Sequence, residues 1–298
     1  MIKSTITTLK FILGHPLSGK KKLATLRRWL GWQIGSRILR FPVIAPFVND
    51  SCLVLEKGQR GANGNYYCGM LEFEDMSFLM HYLRPDDLFA DIGANIGSYT
   101  ILAACAIGAK VVAVEPVQST FDRLVRNIAI NGSIDRVEFH RCALGSSSGG
   151  TVRLTQNEDA ENHVIPDGEN LENGVEVPLR SLDDILHGRV PRFLKIDVEG
   201  FEQEVLKGGM ATLRDPNLKV LIIELNTFGS RFGVSDSELA DLLQDCGFSF
   251  FAYQPRDRRL VELADPLAGK LNVICLRDDE AQERVRSAPA FRVSGQTI

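Results

Sequence analysis

The chain has 298 residues, 24% charged and 44% hydrophobic, with a formal net charge of −4, which excludes a disordered or collagen-like chain and gives no reason to expect a nucleic-acid partner. That net charge averages two unlike parts, because residues 1–49 contain no Asp or Glu and residues 1–40 carry nine basic side chains. A +9 segment therefore precedes a body of −13, in which 25 basic side chains face 38 acidic ones.

In chain order, the N-terminus shows no cleaved leader pattern, since Lys10 and His15 interrupt the apolar run and no A-x-A site follows. Within 1–50, Leu23, Leu26, Leu30, Ile34 and Ile38 recur at helical spacing, with Trp29, Trp32 and several arginines elsewhere on the wheel. The favoured reading is a substrate-side helix packed on the domain. The second is an interfacial helix that rests 1–40 peripherally on anionic lipid.

Residues 51–86 form a lead-in: a strand over 52–58, a glycine-rich turn GANGN at 61–65, and a helix over 73–83 before Pro85. From Leu88 strands and helices alternate, which predicts a mostly parallel sheet covered on both faces. Strands are expected at 88–92, 110–115, 137–142, 192–198, 219–225, 248–254 and 271–277, several of them near-continuous apolar runs. Helices fit 97–107, 117–131, 181–187, 201–213 and 235–246. The stretch 146–178 is polar with one strand-like piece at 151–155, and 278–298 reads as a charged tail that frays. The division is thus 1–50 basic segment, 51–86 lead-in, 87–277 main domain and 278–298 tail. Six widely spaced cysteines without a C-x-x-C pair read as reduced thiols of a cytoplasmic protein.

The strongest chemical signal is LFADIGANIGSYT, residues 88–100. An apolar strand ends in Asp91, Gly93 and Gly97 bracket a turn, and a helix begins at Ser98. Strand, glycine turn and helix together cradle a ligand at the carboxyl ends of the strands. The loop lacks G-x-G-x-x-G, and Asp91 would repel a pyrophosphate while suiting a ligand with a free ammonium. The next strand ends in Glu115, 24 residues after Asp91, placed to accept two ribose hydroxyls.

DIGANIGSYT (91–100), VVAVEPVQSTFDRLVRNIAINGS (111–133), RCALGSSSG (141–149), LRSLDD (179–184), LKIDVEGFEQEVLKGG (194–209) and IIELN (222–226) together resemble the FkbM family of S-adenosylmethionine-dependent methyltransferases. The resemblance covers roughly residues 86–255. It implies a Rossmann-like, seven-stranded, mostly parallel sheet with one antiparallel strand and helices on both faces. It implies S-adenosylmethionine as cofactor, with Asp91, Gly93, Asn95 and Gly97 on its methionine part. Ser98 and Tyr99 would begin the helix beneath, Glu115 would take the ribose, and Cys142 and Ala143 would flank the adenine.

Alternation along a strand puts Lys195 and Asp197 on one face. Asp197, Glu224 and Asn226 are expected to converge over the cofactor, with Glu199 immediately after Asp197 as a further catalytic candidate. There they orient its amine and a sugar-like acceptor. A second reading gives them Mg²⁺ through oxygen ligands, and no metal site is assigned. In the bland reading Glu199 and Glu202 only serve a helix N-terminus. His163, in the polar stretch, is a candidate base. The expected reaction is O-methylation of a hydroxyl on a glycan or natural product. A nicotinamide-dependent oxidoreductase is opposed by Asp91 and the missing glycine spacing, and a non-catalytic binding module by the intact Asp91, Gly97 and Glu115.

Overall fold

The computed structural model describes residues 2–39, 41–156, 162–166, 174–225, 227–267 and 272–298. Two helices, α1 (Ile2–Gly14) and α2 (Lys22–Ile38), precede an antiparallel pair, β1 (Val43–Pro46) and β2 (Cys52–Leu55), and two more helices, α3 (Arg60–Cys68) and α4 (Phe73–Tyr82). The alternating part follows: β3 (Leu88–Ile92), α5 (Ser98–Ile101) running into a π-helical turn at Leu102–Ile107, β4 (Lys110–Val114), α6 (Gln118–Ile130) and β5 (Val137–His140). Next come β6 (Ala143–Leu144), β7 (Thr151–Leu154), β8 (Val175–Arg180), α7 (Leu182–Leu186) and β9 (Phe193–Ile196). Then α8 (Glu202–Lys207), α9 (Met210–Arg214), β10 (Val220–Glu224), α10 (Asp236–Asp245), β11 (Ser249–Gln254), β12 (Arg259–Glu262) and β13 (Asn272–Leu276) follow. The chain ends with α11 (Ala281–Arg286) and a small hairpin, β14 (Arg292–Val293) and β15 (Gln296–Thr297).

The central sheet runs β12-β11-β13-β10-β9-β3-β4-β5, and its β10-β9-β3-β4-β5 portion is parallel throughout. All seven expected main-sheet strands are present, and β13 enters antiparallel between β10 and β11. An eighth strand, β12, hairpins onto the edge. This is the expected Rossmann-like, mostly parallel sheet, with helices on both faces.

Strand alternation divides the apolar side chains between two cores. Phe89, Val111, Phe193, Val220 and Ile222 face one side with α4 and the π-helical turn. Ala90, Ile92, Val112, Leu194, Ile196 and Ile223 face the other with α7–α10. Among the described strand residues of the first face, Asp91 and Lys195 are charged and buried, paired in register across β3 and β9. Such groups are costly to bury unless they serve each other or a ligand.

Several expectations are corrected. GANGN is not a turn but part of α3, stabilised where Ala62, Asn65, Tyr67 and Cys68 are buried and capped by Gly69 at φ +98°. The lead-in strand stops at Leu55. The helix expected over 201–213 breaks at Gly208, where a Cβ would lie 2.0 Å from the Gly145 carbonyl oxygen. The polar stretch carries a three-stranded side sheet, β6-β8-β7. The tail does not fray: Val285, Phe291 and Val293 enter the first core, and Arg284 stacks over Tyr82 and pairs with Asp87.

The helix expected to pack its apolar stripe on the domain does so with other residues. On α2 only Thr25 and Trp32 are buried, while Leu23, Leu30, Ile34 and Ile38 are exposed. No helix among the described residues is long and apolar enough to cross a membrane. All six cysteines are free thiols, four of them buried.

Candidate active site

A cavity of about 220 Å³ opens at the carboxyl ends of β3, β4, β9 and β10. Its floor is the β3–α5 turn. Gly93 and Ala94 donate their N–H groups to the Val114 carbonyl at 3.0 and 2.9 Å, folding the turn back on β4. Gly93 has φ +78°, and a Cβ there would lie 1.8 Å from the Asp197 carbonyl oxygen, so only glycine lets the β3 and β9 loops approach. Gly97, at φ +90°, likewise leaves room for Leu124 of α6. Asn95 takes φ +50°, a conformation asparagine tolerates, and its side-chain oxygen accepts the Ile96 N–H at 2.7 Å.

Asp91 is 1% exposed. The Thr100 hydroxyl donates to its Oδ2 at 2.6 Å, while the buried Oδ1 on the cavity wall has no partner among the described residues. Burial raises its pKa, against the pull of the Lys195 ammonium and the Thr100 hydroxyl. Glu115, just beyond β4, accepts the Val117 N–H at Oε1 (2.9 Å) and the Asn95 N–H at Oε2 (3.0 Å). Burial pushes its pKa up to about 7. A carboxylate offers about four lone-pair sites, so both oxygens keep capacity toward the cavity.

Lys195 is buried, with Nζ 2.7 Å from Asp197 Oδ2 and 4.7 Å above the Tyr99 ring. Burial works against its charge, but the carboxylates of Asp197, Glu72 and Asp91 outweigh that and raise its pKa. The Tyr99 hydroxyl donates to Glu72 Oε2 at 2.7 Å, and Ser98 Oγ accepts from Asn65 Nδ2 at 3.0 Å. Cys142 and Ala143, buried after β5, form an apolar wall beside Glu115.

Asp197, Glu199 and Glu224 meet at the opposite rim, with one carboxylate oxygen of each within 4.8 Å of the others. That spacing suits several hydroxyls of one polyol or a shared hard cation. Glu199 holds φ +57°. The loop around it is tied by Glu202, whose Oε1 accepts the N–H groups of Val198 and Gly200 at 3.1 and 3.2 Å. Glu202 thus braces the loop. Asn226 lies outside the described residues.

The cavity is lined by Asn162 and Val164 but not by His163 between them, so the candidate base is not brought to it. His163 instead pairs through its backbone with Thr155.

Sequence reasoning missed the contribution of the lead-in. Gly61, Asn65, Glu72 and Met76, from α3 and the start of α4, close one side of the cavity. Asn272 of β13 holds Glu72 and Asp75 from behind, at 3.3 and 3.1 Å. The available signal was Glu72 and Asp75, acidic residues at the start of an otherwise apolar helix.

A family model described as the methyltransferase FkbM domain matches residues 91–250. Hexuronic acid methyltransferase AglP of Haloferax volcanii is 28% identical over 241 residues, covering 77% of this chain and 90% of that protein. Methyltransferase sdnD of Sordaria araneosa is 31% identical over 170 residues, 46% of this chain and 65% of that one. Methyltransferase 1 of Beauveria bassiana is 30% identical over 149 residues, 42% of this chain and 59% of that one.

Proposed function

The chain belongs to the FkbM methyltransferase family, and on that premise we propose that it transfers a methyl group from S-adenosylmethionine to a hydroxyl of a glycan or natural product. The observation that carries the cofactor half is the buried, unpartnered Asp91 Oδ1 on the wall of a glycine-floored cavity. A carboxylate oxygen there is costly without a donor, and the ammonium of a bound S-adenosylmethionine supplies one. Glu115 keeps lone pairs for two ribose hydroxyls, and the apolar Cys142–Ala143 wall suits the adenine face. A nicotinamide dinucleotide fits poorly, because its pyrophosphate would meet Asp91 and the turn lacks the G-x-G-x-x-G spacing.

When bound, the cofactor supplies an electrophilic methyl group. The protein's part is to hold an acceptor oxygen in line with it and to receive the acceptor's proton. Asp197, Glu199 and Glu224 are the groups we assign to this task. Lys195 fixes Asp197 from below through the 2.7 Å ion pair, and Glu202 fixes the loop that presents Glu199. Three carboxylates at the rim favour a neutral polyol hydroxyl over an anionic oxygen as nucleophile. The name of the Haloferax relative, a hexuronic acid methyltransferase, supports a sugar acceptor.

Incubating the enzyme with S-adenosylmethionine and a panel of uronic-acid and neutral oligosaccharides, followed by mass spectrometry, tests the reading. A methyl gain on a sugar oxygen is the expected product. Methylation confined to amines or to proteins would refute the acceptor assignment.

A further inference from the structure

Helix α2 is apolar on two sides. Its inner side is used within the protein: Trp32 packs edge-on against Tyr66 of α3, and the Arg28 guanidinium donates to the Tyr67 carbonyl oxygen at 2.7 and 3.1 Å. Its outer side carries Leu23, Leu30, Ile34 and Ile38 at 79%, 49%, 54% and 72% exposure. These positions recur every seven or four residues and therefore form one stripe along the helix. Phe41 and Ile44, a few residues beyond the helix, are exposed as well. An uncovered row of this length is uncommon on a soluble surface and marks a contact site.

The charges around the stripe identify what covers it. Arg27 and Arg37 lie on the same exposed side, and Lys10, Lys21 and Lys22 are exposed in the same segment. No acidic residue occurs before Asp50. A second copy of the chain docking stripe to stripe would bring two +9 segments together. A surface combining an apolar layer with dense negative charge satisfies both features at once, as anionic headgroups over acyl chains do. We propose that the outer face of α2, with Phe41 and Ile44, docks this protein peripherally on an anionic lipid bilayer. The docked helix would lie one element from the active site, because α3 carries Asn65 into the cavity wall. The inference does not depend on the methyl-transfer reading.

The test is co-sedimentation of the full chain with vesicles of phosphatidylcholine alone and of phosphatidylcholine mixed with phosphatidylglycerol. We expect binding to the mixed vesicles, weakened by salt, and little binding to the neutral ones. Replacing the two outer arginines (Arg27→Gln with Arg37→Gln) should lower partitioning about thirty-fold, at about one kilocalorie per mole for each charge. Leu30→Ser with Ile34→Ser should lower it at least about tenfold. All four side chains are exposed or on the outer face, so circular dichroism should be unchanged. Failure of the wild-type chain to bind mixed vesicles, or equal binding to both vesicle types, would overturn the proposal. So would a dimer formed without lipid and abolished by the Leu30/Ile34 variant, which would assign the stripe to a second copy.

Discussion

Replacing Glu115 by Gln separates two consequences of its position. In the free protein, burial raises its pKa from 4.5 to about 7. The folded state therefore keeps a proton that the unfolded chain loses. Stability contributed by this group is present below pH 4.5 and is lost as pH rises through about 7. The loss amounts to about 3 kcal/mol. Glutamine cannot ionise, so Glu115→Gln removes that slope. It also replaces one of two acceptor oxygens by a donor, leaving the N–H of Asn95 or Val117 unpaired at a cost of about 1–3 kcal/mol at every pH. The variant should thus be less stable than wild type near about pH 4.5, and equal to it or up to about 2 kcal/mol more stable near about pH 8. Urea denaturation across that range reads this directly. Calorimetric titration with S-adenosylhomocysteine reads the second consequence: loss of charged acceptors for the ribose should weaken binding roughly ten- to hundred-fold. An unchanged pH slope would refute the buried, uphill carboxyl, and unchanged affinity would refute the ribose role.

Gly93→Ala should cost more than about 3 kcal/mol or prevent folding, because the new Cβ would overlap the Asp197 carbonyl oxygen, 1.8 Å away, at a φ of +78°; a shift in urea midpoint checks it. Lys195→Met removes one partner from a buried cluster and leaves Asp91 and Asp197 facing each other, so a loss of about 3–5 kcal/mol is expected by the same denaturation assay. His163→Ala should leave methyl-transfer kcat within about twofold in steady-state assays, since that side chain does not line the cavity. A loss of roughly a hundredfold or more would restore it as the base.

The alternating core was legible in the sequence because doubly covered strands are continuous apolar runs and glycine turns separate them from helices. The β3 turn was legible for a related reason: Asp91, Gly93 and Gly97 only make sense together at a strand tip. The lead-in was not, since glycine and asparagine favour turns locally. In α3 tertiary contacts override that preference: Asn65 bonds Ser98 and the Leu71 N–H, and Tyr67 and Cys68 are buried. The tail misled in the opposite way, its charges hiding Phe291 and Val293, which complete a core built mostly by distant residues. For α2, periodicity identified an apolar stripe but could not say which side of the helix faces the body. Arg28 and Trp32 decide that through partners on α3 that only the fold brings near.

The central claim is that the cavity is built around an ammonium-bearing cofactor held by Asp91. Calorimetric titration of S-adenosylhomocysteine and NAD into the wild-type protein and Asp91→Asn tests it most directly. The account predicts that S-adenosylhomocysteine binds the wild type, that Asp91→Asn binds it roughly tenfold or more weakly, and that NAD binds neither. Binding of NAD, or equal affinity of both proteins for S-adenosylhomocysteine, would contradict it.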